Sequence, residues 1–228
     1  MKPPMMTRKS SREKHRYRHS MFLSNDTKYT STTTNLMSMS QATQRDFVWK
    51  LIVGGQGGVG KTTILYRFVH DQFLDETKLT IGVDFHKQSL ERQGYNISLI
   101  LWDLGGQERF RPIHDAYIRG SHGGFVCFDL SSHSTLESAK EWIEMFRQNV
   151  PGLPIVLVGT KYDLIENDPE MIREMIDAAN KIVEEHDLIG FFLTSAKSGL
   201  NVKETIHFLI DVMLYKMNEP IPCSVLDA

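Results

Sequence analysis

The stretch Gly55-Gln56-Gly57-Gly58-Val59-Gly60-Lys61-Thr62 decides the fold of this chain. It fits the pattern G-x-x-x-x-G-K-[ST], in which glycine N–H groups converge on phosphate oxygens at the N-terminus of a helix. An apolar run at 47–54 predicts a buried strand before it, and residues 61–70 predict a helix after it. A chance glycine-rich turn would not need those two neighbours, so the stretch is interpreted as a phosphate-binding loop.

The side chains of this loop have separate expected roles. Lys61 would reach the β- and γ-phosphates of a nucleotide, and the hydroxyl of Thr62 would bind Mg²⁺. The other residues of the loop expected to contact the nucleotide are Gly57, Gly58, Val59, Gly60 and Thr63.

Length and composition indicate one globular domain with a tail. Of the 228 residues, 41% are hydrophobic and 24% are charged, and the formal net charge is −2. That charge gives no general attraction to nucleic acid, so no nucleic-acid partner is expected. Cys127 and Cys223 do not predict a disulfide framework; Cys127 lies in an apolar run and is expected to be a packed thiol. Cysteines used in this way favour a cytoplasmic location. No apolar run is long enough for a transmembrane helix.

The N-terminal residues differ in composition from the rest. Residues 1–20 contain seven basic side chains and one acidic side chain, a net charge of +6, and residues 24–44 are rich in Ser, Thr, Asn and Gln. Such a segment buries too little apolar surface to offset the entropy lost on ordering. We therefore predict a disordered basic arm at 1–44, a domain at 45–218 and a short tail at 219–228. The arm either is attracted to an anionic membrane or an acidic partner, or is a solvated tail without a partner.

Strand and helix patterns alternate along the predicted domain, which indicates a mainly parallel sheet covered on both faces. We expect an α/β P-loop NTPase fold of three layers, with six strands, one antiparallel hairpin strand and about five helices. The expected strands are 47–54, 83–92, 97–103, 123–129, 154–160 and 191–194. The expected helices are 61–70, a short helix after Asp103, 134–149 with Ser134 as its N-cap, 169–187 with Asp168 as its N-cap, and 201–217.

Two segments after the phosphate-binding loop predict further contacts to metal and phosphate. Asp103 follows a strand and fits D-x-x-G, so its carboxylate could hold Mg²⁺ through water. Gly106, the glycine of that pattern, could approach the γ-phosphate with its N–H. Thr80 lies between the first helix and the second strand, where its hydroxyl could complete the Mg²⁺ shell when a γ-phosphate is present.

Two segments near the end of the chain predict which base is bound. In Thr160-Lys161-Tyr162-Asp163, the aspartate can accept two N–H bonds from guanine. Adenine lacks that pair of donors and would leave the carboxylate unpaired, which disfavours an ATP-dependent enzyme. Ser195-Ala196-Lys197 follows the last strand and can contact the base oxygen O6 through backbone N–H groups.

Five motifs in this order, each after the proper element, make residues 47–218 resemble the small GTPases of the Ras superfamily. Residues 159–164 also resemble septation-type GTPases, and residues 104–107 resemble Arf-like proteins. The segments most similar to the Rab-like branch are Thr80-Ile81-Gly82-Val83-Asp84-Phe85, Trp102-Asp103, Gly106-Gln107-Glu108-Arg109-Phe110-Arg111 and Tyr117-Ile118-Arg119-Gly120. The resemblance implies a GTP-binding molecular switch that slowly hydrolyses GTP to GDP in vesicle traffic or signalling, with GTP/GDP and Mg²⁺ as cofactors.

The resemblance also implies roles for single residues. Gln107 would orient the attacking water and Lys61 would stabilise developing charge, so these two are the expected catalytic residues. Phe73 would lie against the base, and Gly57 would leave room beside Gln107. A nucleotide-dependent scaffold that barely hydrolyses GTP is the alternative, but the intact Gln107 and Gly57 favour a cycling GTPase.

Two switch loops are expected, at about 74–85 and 105–118, ordered by the γ-phosphate and released on hydrolysis. They would contact an exchange factor, an activating protein and effectors, the effectors through Phe85, Trp102 and Tyr117. Ordinary packing on the sheet is the alternative for these aromatic side chains.

Three positions depart from the family pattern. Thr160 stands where most members have Asn, though guanine binding is still expected, and Thr77 stands where many have Tyr. Cys223 is not placed for prenylation, because residues 227–228 follow its lipidation pattern, and Lys2 excludes N-myristoylation. A cytoplasmic protein is expected, with membrane contact at most weak, through the basic arm or through partners.

Overall fold

The computed structural model describes residues 46–75 and 79–218. The predicted arm at 1–44, the predicted tail at 219–228 and Thr77 lie outside the described residues. The bounds of the predicted domain are therefore not tested by the structure.

The described chain alternates strands and helices in the predicted order. The strands are β1 (Asp46–Gly54), β2 (Val83–Arg92), β3 (Tyr95–Leu104), β4 (Gly123–Asp129), β5 (Ile155–Thr160) and β6 (Gly190–Leu193). The α-helices are α1 (Lys61–His70), α2 (Arg111–Ile118), α3 (His133–Asn149), α4 (Pro169–Glu185) and α5 (Val202–Asn218). Single 3₁₀ turns are formed by Glu108–Phe110 and Tyr162–Leu164.

The six strands form one sheet in the order β2-β3-β1-β4-β5-β6. β2 pairs antiparallel with β3, and every other neighbouring pair is parallel. Val53 of β1 lies beside Asp103 of β3 on one side and Phe125 of β4 on the other. The carboxyl ends of the parallel strands therefore meet at one edge, where open α/β sheets bind their ligands. The predicted fold is confirmed.

Alternating strand residues build a hydrophobic layer on each face of the sheet. Leu51 and Val53 pack in the layer that contains side chains of α1 and α5. Ile52 packs in the opposite layer, which contains side chains of α3 and α4. Helices on both faces complete the three layers.

The β2–β3 hairpin turns through Gln93 and Gly94, both in the left-handed region with φ of 52° and 79°. That pair matches the two-residue turn favoured in hairpins, so β3 begins at Tyr95, two residues before the predicted start. Beside the turn, the guanidinium of Arg92 donates two hydrogen bonds, of 2.8 and 2.5 Å, to the carboxylate of Asp211 on α5. This ion pair attaches the tip of the hairpin to the last helix.

Cys127 lies in the middle of β4 and is 1% exposed. Burial raises the pKa of its thiol to about 12, so it is the packed, uncharged thiol predicted from the sequence. Among the helices in the described ranges, none is long and apolar enough to cross a membrane.

Candidate functional site

The phosphate-binding loop connects β1 to α1 with glycines in conformations that other residues avoid. Gly55, Gly58 and Gly60 have φ of 140°, 82° and 95°, and the helix begins directly after them at Lys61. Backbone N–H groups at the start of a helix have no partner within it, so they are free to bind an anion. The predicted context of strand, loop and helix is present.

Lys61 is 5% exposed and lies within this loop. Its Nζ donates hydrogen bonds of 2.8 and 3.0 Å to the carbonyl oxygens of Gly55 and Gln56. Burial lowers the pKa of the ammonium group, while the charge of Asp103 acts in the opposite direction. Carbonyl oxygens carry no full charge, so this buried cation is electrostatically suited to an anionic phosphate.

Three oxygen-bearing side chains from separate elements converge beside Lys61. The hydroxyl of Thr62 donates a 2.5 Å hydrogen bond to Oδ2 of Asp103, and the hydroxyl of Thr80 donates a 3.1 Å bond to the same oxygen. The two hydroxyl oxygens are 2.9 Å apart. The predicted metal ligands Thr62, Thr80 and Asp103 are therefore brought together.

The chemistry of this cluster fits Mg²⁺. Asp103 is fully buried, and its Oδ1 has no hydrogen-bond partner among the described residues. Burial raises the pKa of this carboxyl, while the hydrogen bond from Thr62 and the charge of Lys61 act to lower it. A divalent cation would favour its ionised form. Within the ranges described, no group of three or more His, Cys, Asp or Glu could hold a metal alone. Carboxylate and hydroxyl oxygens are the hard ligands that suit Mg²⁺, which keeps phosphate and water among its other ligands.

The loop after β3 packs directly on the phosphate-binding loop. A Cβ on Gly106 would lie 2.3 Å from the backbone nitrogen of Gly57, so no other residue fits in this arrangement. Gln107 follows, and a Cβ on Gly57 would lie 3.9 Å from Cγ of Gln107. The side-chain oxygen Oε1 of Gln107 is buried without a hydrogen-bond partner in the part of the chain that is described. A buried amide oxygen of this kind is suited to accept a hydrogen bond from a ligand or a water.

Thr160 ends β5 and connects the base side of the site to the phosphate side. Its hydroxyl contacts the carbonyl oxygen of Phe128 at 2.9 Å and that of Val59 more closely. One hydroxyl proton can serve only one carbonyl at a time. Thr160 is 1% exposed, and its contact with Val59 holds the phosphate-binding loop against the sheet.

The side chain of Ser195 positions the carboxylate of Asp163. The Ser195 hydroxyl donates a 2.6 Å bond to Oδ1 of Asp163 and accepts a 3.2 Å bond from the N–H of Ser198. Ser195 is fully buried and lines no part of the cavity. Its side chain therefore acts on the site by orienting Asp163.

Asp129 contacts the site residue Lys161, a contact that the sequence analysis missed. Oδ2 of Asp129 lies 2.7 Å from Nζ of Lys161, and Oδ1 accepts bonds of 2.9 and 2.7 Å from the N–H and hydroxyl of Ser131. Burial alone would raise the pKa of Asp129, but the bonds from Lys161 and Ser131 bring it below its ordinary value. The available signal was that Asp129, like Thr160, ends a strand of the sheet.

The site contains one cavity of about 410 Å³, within the range of small-molecule sites. The predicted residues that line it are Gly57, Gly58, Gly60, Lys61, Thr62, Thr63, Phe73, Thr80, Gly106, Gln107, Thr160, Lys161, Asp163, Ala196 and Lys197. Three predicted residues do not line it: the side chain of Val59 is in the core, and Asp103 and Ser195 lie behind the lining. Lining residues that the sequence analysis missed are Ile64, Leu74, Asp75, Leu79 and Leu164.

Comparison with known proteins identifies the family. The profile of the Ras family matches residues 50–215. This chain belongs to the Ras family. It is 37% identical over 172 residues to Ras-related protein Rab-13 of Mesocricetus auratus, covering 75% of this chain and 82% of that relative. It is 34% identical over 187 residues to Ras-related protein Rab-11A of Dictyostelium discoideum, with coverage of 81% and 85%.

A third relative is GTP-binding protein ypt1 of Schizosaccharomyces pombe, 36% identical over 163 residues, with 70% of this chain and 76% of that protein covered. The chain is therefore a Rab-like small GTPase. It is a GTP-binding switch of vesicle traffic that hydrolyses GTP to GDP with Mg²⁺. The alternative of a scaffold with little hydrolysis is not favoured.

The predicted effector residues of this Ras-family GTPase form a continuous aromatic row. The ring of Trp102 lies 5.8 Å from that of Phe85 and 5.5 Å from that of Tyr117, measured between centroids. Trp102 and Tyr117 also pack against the core, whereas Phe85 is 62% exposed. Packing on the sheet therefore accounts for part of the row, and Phe85 is its most accessible member.

Proposed function

We propose that this GTPase cycles between GTP- and GDP-bound forms and that Gln107 orients the attacking water. The observation that carries the proposal is the buried Oε1 of Gln107, which has no hydrogen-bond partner within the described ranges and stands beside the phosphate-binding loop. An oxygen in that position can accept a hydrogen bond from water and direct the water toward a γ-phosphate. Little covalent chemistry is needed from the protein, because positioning and charge stabilisation supply most of the catalysis.

The other roles follow from the same cavity. Lys61 balances charge that develops on the phosphate oxygens, and the convergent oxygens of Thr62, Thr80 and Asp103 would hold Mg²⁺. The metal, when bound, neutralises negative charge on the β- and γ-phosphates. Asp163 selects guanine by accepting its paired N–H donors.

Hydrolysis by this chain alone is expected to be slow. Arginine supplied beside the γ-phosphate speeds this reaction in related enzymes, because it stabilises charge in the transition state. The described residues that line the cavity include no arginine. An activating protein that inserts one is the partner that fits this site.

The test is single-turnover hydrolysis by the full chain, with GTP and with ATP in parallel. We expect slow phosphate release from GTP and none from ATP at matched concentration. Gln107→Leu should slow release at least about tenfold, which corresponds to about 1.4 kcal/mol, while GTP affinity changes less than twofold. Gln148→Leu, at an exposed glutamine of α3, is the matched control and should leave the rate unchanged. Equal rates for Gln107→Leu and the parent would remove Gln107 from the mechanism.

We further propose that effectors bind the aromatic row and that the basic arm makes any direct membrane contact. Phe85 offers an exposed apolar side chain at the edge strand of the sheet. Each basic residue near an anionic leaflet contributes about 1 kcal/mol before ordering losses. Co-sedimentation with anionic vesicles should require residues 1–44 and fall at high salt. Binding that survives either removal of the arm or high salt would exclude the arm as the contact.

A further inference from the structure

Lys50 lies in β1, ahead of the phosphate-binding loop, and it is not part of any motif of the site. Its side chain is part-buried, and burial lowers the pKa of its ammonium group. A cation that leaves water needs compensating contacts. The contacts of Lys50 connect two parts of the molecule, which are the end of α2 and the aromatic row of Phe85, Trp102 and Tyr117.

Lys50 is bonded to the segment that joins α2 to β4. Its Nζ donates a 2.9 Å hydrogen bond to the carbonyl oxygen of Arg119, which directly follows α2. Its backbone N–H donates a 3.1 Å bond to Nδ1 of His122, and the N–H of His122 donates a 2.8 Å bond back to the carbonyl oxygen of Lys50. Pairing of β1 with β4 begins only at Leu51, so these bonds extend the contact to the point where the predicted second switch loop ends.

The ammonium group is electrostatically suited to the end of a helix. Carbonyl groups in the last turn have no partner within the helix, and the helix dipole makes this end negative. The last turn of α2 contains no basic residue of its own. Lys50 therefore supplies from β1 the cation that the helix itself lacks.

The same ammonium group lies over an aromatic ring. Nζ of Lys50 is 5.1 Å from the centroid of the Trp102 ring, within the distance at which a cation is attracted to a ring face. Tyr117, in the last turn of α2, contacts Trp102 with 5.5 Å between the ring centroids. One cation therefore contacts both the ring that β3 contributes to the aromatic row and the end of the helix that contributes Tyr117.

We propose that Lys50 is a positioning residue for the effector surface: it holds the end of α2 against β3, so that Tyr117 stays packed on Trp102. The inference rests on the proposed role of the aromatic row in effector binding and goes beyond it, because it makes assembly of the row depend on a side chain of β1. Without the ammonium group, the carbonyl oxygen of Arg119 loses a partner and Trp102 loses its cation. Tyr117 then moves away from Trp102, and the exposed Phe85 loses the packed ring beneath it.

The test is carried out by NMR on the full chain bound to a non-hydrolysable GTP analogue. Lys50→Met keeps the length of the side chain and removes the ammonium group. We expect the cross-relaxation between the rings of Tyr117 and Trp102 to be lost and amide exchange at 117–119 to rise at least about tenfold, or about 1.4 kcal/mol. Lys181→Met, at an exposed lysine of α4, is the matched control and should change neither value. An unchanged ring contact in Lys50→Met would overturn the inference.

Two comparisons separate positioning from general stability. Loss of overall stability would speed exchange in α3 and β4 as well, so the change should be confined to the end of α2. Lys50→Arg keeps a cation that can donate to the carbonyl oxygen of Arg119 and stack on Trp102, so it should retain the ring contact. Faster exchange throughout the fold, or equal losses in both variants, would show that Lys50 only fills space and would overturn the inference.

A measurement on the unaltered chain covers the case in which Lys50→Met does not fold. Protons that lie over an aromatic ring are shifted upfield by its ring current, so the ε-protons of Lys50 should resonate upfield of those of Lys181. Equal shifts would place the ammonium group away from Trp102 and contradict the inference. None of these readouts needs an effector. Equal binding of a partner to the parent and to Phe85→Ala would instead refute the proposed role of the row, an outcome that the NMR readouts leave separate.

Discussion

The hydroxyl of Ser195 donates a 2.6 Å hydrogen bond to Oδ1 of Asp163, from a position that is itself fully buried. The Ser195 hydroxyl is itself held in place, because its oxygen accepts a hydrogen bond from the N–H of Ser198. The carboxylate is therefore oriented before any base arrives. Orientation in advance reduces the entropy lost on binding and sharpens discrimination between bases.

Asp163→Asn is expected to move the nucleotide preference from guanine toward xanthine. The amide presents a donor where guanine also donates, and one charge-assisted pair is lost, which should weaken GTP binding by about 2–3 kcal/mol. Titration with GTP and XTP measures the change. Asp177→Asn, at an exposed aspartate of α4, is the control. Unchanged GTP affinity in the Asp163 variant would rule out its role in base recognition.

Thr62→Asn is expected to give a GDP-preferring form with a weakened Mg²⁺ dependence. The Thr62 hydroxyl contacts both Asp103 and Thr80 in a crowded, part-buried cluster, and the larger amide is a poorer ligand for a hard cation. GTP affinity should fall at least about tenfold more than GDP affinity, or about 1.4 kcal/mol. The measurement is the Kd of each nucleotide with Mg²⁺ and with a chelator. Equal, Mg²⁺-dependent affinities would contradict the ligand role.

Asp129→Asn is expected to weaken GTP and GDP alike, by about 1 kcal/mol each. The substitution removes the charge that holds Nζ of Lys161, while the amide oxygen can still accept the bonds from Ser131. Because the effect passes through Lys161 on the base side, it should not depend on the γ-phosphate. A loss confined to GTP would show that Asp129 acts on the switch loops instead. Stability of the nucleotide-free fold, measured in parallel, separates binding from folding.

His114, in α2, is expected to make the stability of the fold sensitive to acid. It is fully buried, and both ring nitrogens lack a hydrogen bond that meets normal geometry among the described residues. Burial lowers the pKa of His114, with a smaller opposite effect from the Gly105 backbone. Nearby charges act in opposite directions: those of Lys61 and Arg111 lower the pKa of His114, and that of Asp115 raises it. The folded form therefore binds a proton less readily than the unfolded form does.

The sign of the pH effect follows from that difference. The stability tied to neutral His114 is complete above the ordinary histidine pKa of about 6.5 and is lost as the pH falls from there toward the lowered pKa. The slope can reach about 1.4 kcal/mol per pH unit. His114→Phe keeps a ring against Trp142, whose ring centroid is 5.1 Å away. The substitution should flatten the pH dependence of stability between pH 7.5 and about 5.5. Thermal unfolding with GDP measures it, and the exposed His133→Phe is the control. A parent without this slope would contradict the prediction.

Sequence reasoning succeeded where chemistry is local. The phosphate-binding loop, Asp103 and Asp163 each stand at fixed spacing from a strand end, so the parallel sheet alone brings them to one edge. The N-cap of α4 was equally readable, since Asp168 accepts a 3.0 Å bond from the N–H of Met171.

The misses depend on pairing between distant segments. The ion pair of Asp129 with Lys161 exists because β4 and β5 pair in a register that places Asp129 beside Thr160. No motif reports that register. The predicted cap of α3 was wrong for a different, local reason. The helix begins after Ser132 instead of at Ser134, because the hydroxyl of Thr135 bonds back to the carbonyl of Ser132 and to the N–H of Asp129.

Alkylation of Cys127 can measure how often the sheet opens at β4. A thiol with a pKa of about 12 in the centre of the sheet does not react with an alkylating reagent while β4 is paired. With Cys223→Ser removing the second cysteine of the chain, every alkylation event reports a molecule whose central strand has separated. The rate at which label accumulates, with and without nucleotide, would give the free energy that GDP adds to the fold without any attached dye.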